Sequence, residues 1–190
     1  MNMAAWMMWR FFGSRQFLMS VLCGLFMHSS MADEAPGGAA DQRAQAVTQV
    51  VLGILSYARW PVEPAQLRLC IIGPTQYTDD LVKGATQASG RPVLVQRLLA
   101  SSTAVASHCD AVYIGQLSTD ERNQLFTALA GQAVLSISEE GDQCVVGSLF
   151  CLRVSDDQVA FEVNLDSVAR SGVRIHPSVL QLSRRRAAQP

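Results

Sequence analysis

Apolar and polar positions recur with two different periods along this chain, and the changes of period outline its elements. Val47, Val50, Val51, Ile54 and Leu55 follow helical spacing, with Asp41 able to cap the helix and Pro61 forbidding its continuation. Leu67-Arg-Leu-Cys-Ile-Ile72 reads as a strand, and Gly73-Pro74-Thr75 turns the chain into a helix from Leu81 to Ala88, closed by Gly90. A second strand follows over Pro92–Leu99, its proline at the first position where no ladder bond is lost. The Ser/Ala-rich stretch Ala100–Ser107 is a short helix or a loop. Cys109–Gly115 is a buried third strand, and Ser118-Thr-Asp-Glu121 is a capping box for a helix carrying Leu125, Phe126 and Leu129 and ending at Gly131. Ala133–Ser138 is the fourth strand. Residues 144–154 and 158–165, joined around Asp156-Asp157, form an antiparallel hairpin. Short apolar strands alternating with helices imply a single α/β domain: a largely parallel sheet flanked by helices, with the hairpin added at its C-terminal end.

The last stretch is the least regular. Val159, Phe161, Val163 and Leu165 alternate with Ala160, Glu162 and Asn164, a strand with one buried face. Asp166 then starts a short helix, Gly172 ends it, and His176-Pro177 forces an extended path. Leu165, Val168, Ile175, Pro177 and Leu180 cannot all reach a core from so short a segment. Two readings stand: an apolar surface patch flanked by Glu162 and Arg170 that contacts another protein, or a C-terminal wrap closing the core.

The beginning of the chain is set apart by composition. Arg10 and Arg15 precede the apolar run Phe17–Met27, and Ser30-Met-Ala32 places small residues at a cleavage site, the pattern of a secretory signal peptide over residues 1–32. Met3–Trp9 lengthens the apolar part, so an uncleaved anchor is the alternative; Leu22 before Cys23 argues against a lipid anchor. Residues 33–41 then form a flexible arm, residues 42–184 the folded domain, and residues 185–190 a tail. Loss of the two arginines moves the formal charge of −1 two units further negative, which gives nucleic acid or anionic lipid no hold. Export also changes what the cysteines mean. Cys70, Cys109, Cys144 and Cys151 remain after Cys23 is removed, an even number that argues for two disulfides with three connectivities possible. Cys144 and Cys151 enclose a hairpin-sized gap, which makes them partners and leaves Cys70 for Cys109. Loop closure puts the shorter bridge at roughly 2.5 kcal/mol and the longer at about 4 kcal/mol.

Catalytic patterns are missing. The chain has no G-x-S-x-G elbow, no glycine-rich phosphate loop and no H-E-x-x-H. Gly73-Pro74-Thr75 could hold an anion but lacks neighbouring glycines and cations, so it reads as an ordinary turn. His108 and Cys109, adjacent on a strand, point to opposite faces. Asp79-Asp80 and Glu139-Glu140 read as solvated charges, and the two histidines beyond the expected signal peptide, His108 and His176, are too few for a metal site. No catalytic residue, metal or cofactor is assigned.

Four motifs, in order, carry a resemblance: Ile54-Leu-Ser-Tyr-Ala-Arg-Trp-Pro61, Cys70-Ile-Ile-Gly73, Cys109-Asp-Ala-Val-Tyr-Ile-Gly115, and Phe161-Glu-Val-Asn-Leu165 with Gly172-Val-Arg-Ile-His-Pro177. With the four-cysteine layout they resemble the YfiR family of periplasmic proteins from about Arg43 to Arg184, and most of all its pseudomonad member. The resemblance implies a repressor and not an enzyme. Such proteins bind the periplasmic PAS-type domain of YfiN, an inner-membrane diguanylate cyclase, and are sequestered by the outer-membrane lipoprotein YfiB. Cyclic di-GMP, exopolysaccharide and biofilm formation rise when the repressor is lost, and its disulfides make it responsive to periplasmic redox state. Carried over by position, the YfiB-contacting pocket falls on Phe150, Leu165, Val168, Ile175, Pro177 and Leu180, with Glu162 and Arg170 as polar neighbours. That pocket could also take a small aromatic ligand, the alternative function being a sensor of such a ligand. An exposed apolar edge makes a homodimer a further expectation.

Overall fold

The computed structural model describes residues 36–140, 144 and 147–182. The expected signal peptide, the start of the arm and the tail lie outside them. Helix α1 (Pro36–Tyr57) leads into β1 (Ala58–Arg59) and β2 (Leu67–Ile72), followed by β3 (Ala85–Thr86) and β4 (Pro92–Leu98). Then come α2 (Val105–His108), β5 (Ala111–Ile114), α3 (Thr119–Leu129) and β6 (Leu135–Ser138). The hairpin β7 (Phe150–Val154) and β8 (Val159–Val163), helix α4 (Leu165–Arg170) and β9 (Arg174–Ile175) complete it. Seven strands form one sheet in the order β3-β4-β2-β5-β6-β7-β8. Strand β2 is parallel to β4 and β5, β5 to β6, and β6 to β7, while β3 and β8 are antiparallel additions at the two edges. The largely parallel sheet, its hairpin and the two disulfides are thus as the pattern implied.

Alternation in the central strands divides the core into two layers. Leu67, Leu69 and Ile71 of β2, Ala111 and Tyr113 of β5 and Leu135 and Ile137 of β6 face α1, meeting Val47, Val50, Val51, Ile54 and Leu55. Cys70 and Ile72 with Val112 and Ile114 face the other way, under Val105 of α2 and Leu125 and Leu129 of α3. A strand covered on both faces has no polar side, which is why β5 reads as an unbroken apolar run. Helix α3 begins as its capping box requires: Ser118 Oγ accepts from Glu121 N at 3.3 Å and Ser118 N donates to Glu121 Oε2 at 3.0 Å. The Ser118 bonds also lower the Glu121 pKa.

Four local expectations change. Helix α1 begins at Pro36, upstream of the cap expected at Asp41, so residues 36–41 of the expected arm are helical; proline fits the first helical position because that N–H has no partner anyway. No helix spans Leu81–Ala88. The segment holds a 3-10 turn (Leu81–Lys83), then β3 pairs Ala85 with Val93 and Thr86 with Pro92. Leu81 is the one buried apolar side chain there and Val82 is exposed, so a helix would have had no apolar stripe to bury. Helix α4 is capped by Asn164, whose side chain accepts from Ser167 N at 3.0 Å, and not by Asp166. Glu139 is not a solvated charge: it is 5% exposed.

The cysteines bridge as paired above. Cys70–Cys109 joins β2 to the entry of β5 with Cα atoms 5.8 Å apart, inside the α2–α3 layer. Cys144–Cys151, at 5.4 Å, ties the loop before the hairpin to β7.

Candidate protein-interaction site

Residues 164–182 close the α1 side of the core. Val173 and Val179 are buried, and Val168, Ile175 and Leu182 pack half-buried against the same cluster. Strand β9 pairs with β1, Ala58 opposite Ile175, and His176 N donates to Tyr57 O at 2.9 Å. The His176 ring stacks on Tyr57 at 6.2 Å, and its Nδ1 accepts from Ser178 N at 3.2 Å. Leu182 lies against Gly53 of α1, where an added Cβ would come within 2.9 Å of its Cδ1. The segment folds this way because Asn164 caps α4, Gly172 at φ 71° releases it, and Pro177 starts a 3-10 turn over Pro177–Val179.

The stretch is in part a wrap over the core and in part exposed. Val168 and Ile175 belong to a wrap, whereas Leu165 stays 76% exposed and Leu180 51%. Pro177, Glu162 and Arg170 are also exposed. Glu162 is bonded across the hairpin to Arg153, and Arg170 meets Asp166 at 3.5 Å. Phe150 stands apart from the other seven candidates. It is 0% exposed and edge-on to Phe161 at 5.6 Å, because its register in β7 turns it into the α1 layer with Leu152. Large exposed apolar side chains elsewhere are Val62, Val82, Leu94 and Leu99, the last two on or beside β4.

The place where an open parallel sheet usually binds a ligand is filled by the protein itself. Strand order reverses between β2 and β5, and the crevice beyond their carboxyl ends is the usual ligand position. Here a Cβ on Gly115 would lie 1.8 Å from Pro74 O, so backbone closes the gap. The free N–H groups of the Gly73-Pro74-Thr75 turn are answered from within: Gln76 N and Tyr77 N donate to Glu139 at 2.9 Å each, and Tyr113 OH donates to it at 3.0 Å. Burial pushes the Glu139 carboxyl up, partly offset by these bonds, and pushes the Tyr113 hydroxyl up as well. Asp110, the other buried carboxylate, is held by Arg68 through its backbone N and two guanidinium nitrogens at 2.8–3.0 Å. Asp110 raises the Arg68 pKa in turn. Among the described residues no three His, Cys, Asp or Glu cluster as metal ligands, and no helix is long and apolar enough to cross a membrane. Glu139 and Ser167 were not visible as special in the sequence. Only the approach of the 73–77 loop singles out the first, and only the Asn164 cap turns the second inward.

These features define a disulfide-bridged α/β domain whose buried carboxylates are spent on its own architecture and whose C-terminal wrap displays leucine. The chain belongs to the YfiR/HmsC-like family (DUF4154), whose model matches residues 44–184. That family is periplasmic, regulatory and non-enzymatic, and points to control of cyclic di-GMP signalling. Among solved structures, YbdL from Escherichia coli, a protein with a methionine aminotransferase function, aligns with a TM-score of 0.39 at 12% identity, over 78% of this chain and 49% of that one. The chain spans about half the length of that structure, and a likeness this low carries no argument.

Proposed function

We propose that this protein is a negative regulator that binds the periplasmic domain of a YfiN-like diguanylate cyclase and is withdrawn from it by a YfiB-like outer-membrane lipoprotein. The observation that carries the reading is the exposure of Leu165 and Leu180 on a wrap whose neighbouring residues are buried, in a chain of this family. A partner's apolar side chain placed between α4 and the Pro177 turn would cover both leucines, with Val168, Ile175 and Pro177 as its floor. Glu162 and Arg170 would form the polar rim, and Phe150 would support that floor from the core. The cysteines tie the reading to redox state: without Cys70–Cys109, which closes the longer loop, the folded fraction falls and the cyclase is released.

Calorimetric titration of the disulfide-bonded chain with each partner domain tests this. Binding of both is expected, with Leu165→Glu and Leu180→Glu each weakening the lipoprotein complex at least tenfold. Absence of measurable binding to either partner at micromolar concentration would remove the proposal.

A further inference from the structure

All seven methionines of the chain stand at or before Met31, and the domain that follows holds none. Its sulfur is confined to Cys70, Cys109, Cys144 and Cys151, all four taken up in two disulfides. The fold adds shielding to composition: Cys70 and Cys151 are fully buried, and Cys109 is 3% exposed. Trp60, the one indole beyond the expected signal peptide, is buried too, with its Nε1 donating to Asp110 O at 2.9 Å. The surface is the more telling part. Methionine lets a contact surface adapt to its partners, and its conversion to sulfoxide turns an apolar contact polar. Here the large exposed apolar side chains are Val62, Val82, Leu94, Leu99, Leu165 and Leu180, hydrocarbon without exception. Peroxide is consumed by a thioether or a thiolate, and residues 36–182 contain neither while the disulfides stand.

We infer that the domain is a one-way redox device, altered by dithiols and indifferent to peroxide. A dithiol acts by exchange: its thiolate bonds one cysteine sulfur, and the other cysteine leaves as a thiolate. The reagent's second thiol then displaces the first cysteine and closes its own disulfide, so two electrons pass to the protein and the bridge opens. Peroxide finds no side chain in the domain from which to take two electrons. The exposed leucines keep their apolar character in it, and the crosslinks keep the fold. The reductive half rests on the proposed release of the cyclase on loss of Cys70–Cys109, and the oxidative half does not.

Hydrogen peroxide and dithiothreitol, each at about 10 mM, are the probes, applied to the full disulfide-bonded chain. After peroxide, peptide mass spectrometry should find sulfoxide only at methionines up to Met31, which serve as an internal control, and no oxidised side chain from Pro36 to Leu182. The thermal unfolding midpoint should stay within about 1 °C after peroxide and fall by about 10 °C in dithiothreitol. Leu165→Met, at a position 76% exposed, should be converted to the sulfoxide under the same peroxide. Oxidation of any side chain of the domain, or a midpoint moved by peroxide, would overturn the inference. So would an unoxidised Leu165→Met, because protection would then come from access and not from composition. A midpoint unmoved by dithiothreitol would overturn the device together with the redox part of the proposed function, whereas oxidation of the domain would leave that part standing.

Discussion

In β5 every residue from Ala111 to Ile114 is buried, because helices cover one face of the sheet beneath it and α1 covers the other. In residues 164–182 buried, half-buried and exposed side chains follow one another without a period. The centre is held by repetition, each strand copying its neighbour's alternation. The wrap is held at separate points: the Asn164 cap, the β1–β9 pair, the Tyr57–His176 contact and Leu182 on Gly53. A surface held at points can leave a leucine in water without loosening what lies between. That is the physical basis for proposing recognition on the wrap, while stability lies in the centre.

Substitutions to alanine sharpen the contrast. Phe150→Ala should lower unfolding free energy by about 3–5 kcal/mol, whereas Leu165→Ala should change it by less than about 0.5 kcal/mol, as read by denaturant titration. Equal losses would show that the wrap belongs to the cooperative core. The disulfides come next. Removing Cys70–Cys109, which spans 39 residues, should cost about 4 kcal/mol, and removing Cys144–Cys151, which spans 7, about 2.5 kcal/mol. The reverse order in the paired double variants would break the link between loop length and stability.

Glu139 offers a smaller effect with a definite sign. Its folded pKa is raised above the ordinary 4.5, mainly by burial, so the folded state holds the proton more tightly than the unfolded chain does. Stability should therefore fall as pH rises from the unfolded value through the folded one, and level off above it. Glu139→Gln should flatten that portion of a profile measured between about pH 4 and pH 7. A slope unchanged in the variant would assign it to other groups. The smallest expected change is the stability of Leu180→Glu, within about 0.5 kcal/mol of the parent, against the tenfold loss of lipoprotein binding proposed for it.

Much of this molecule is legible along the chain. The spacing of Val47–Leu55, the apolar runs of β2, β5 and β6, the Ser118–Glu121 box and the cysteine intervals each state their structure locally. The failures have a common origin. Leu81–Ala88 looks helical until β4 offers Ala85 and Thr86 a partner, and Glu139 looks like Glu140 until the 73–77 loop folds over it. Of the proposed interaction residues, the apolar set was legible as a group, but not which members would remain outside. Phe150 and Leu165 are both large and apolar, and only the register of β7 and the cap of α4 send one inward and the other out.

Sequence alone therefore determined most of the elements, the largely parallel sheet flanked by helices and the crosslinks, since helical and strand periods and covalent reach are properties of neighbours in the chain. Tertiary structure alone decided the surface: the exposed leucines, the enclosed Glu139 and the buried Ser167. Burial is set by what arrives from elsewhere in the fold, and no local pattern records its arrival.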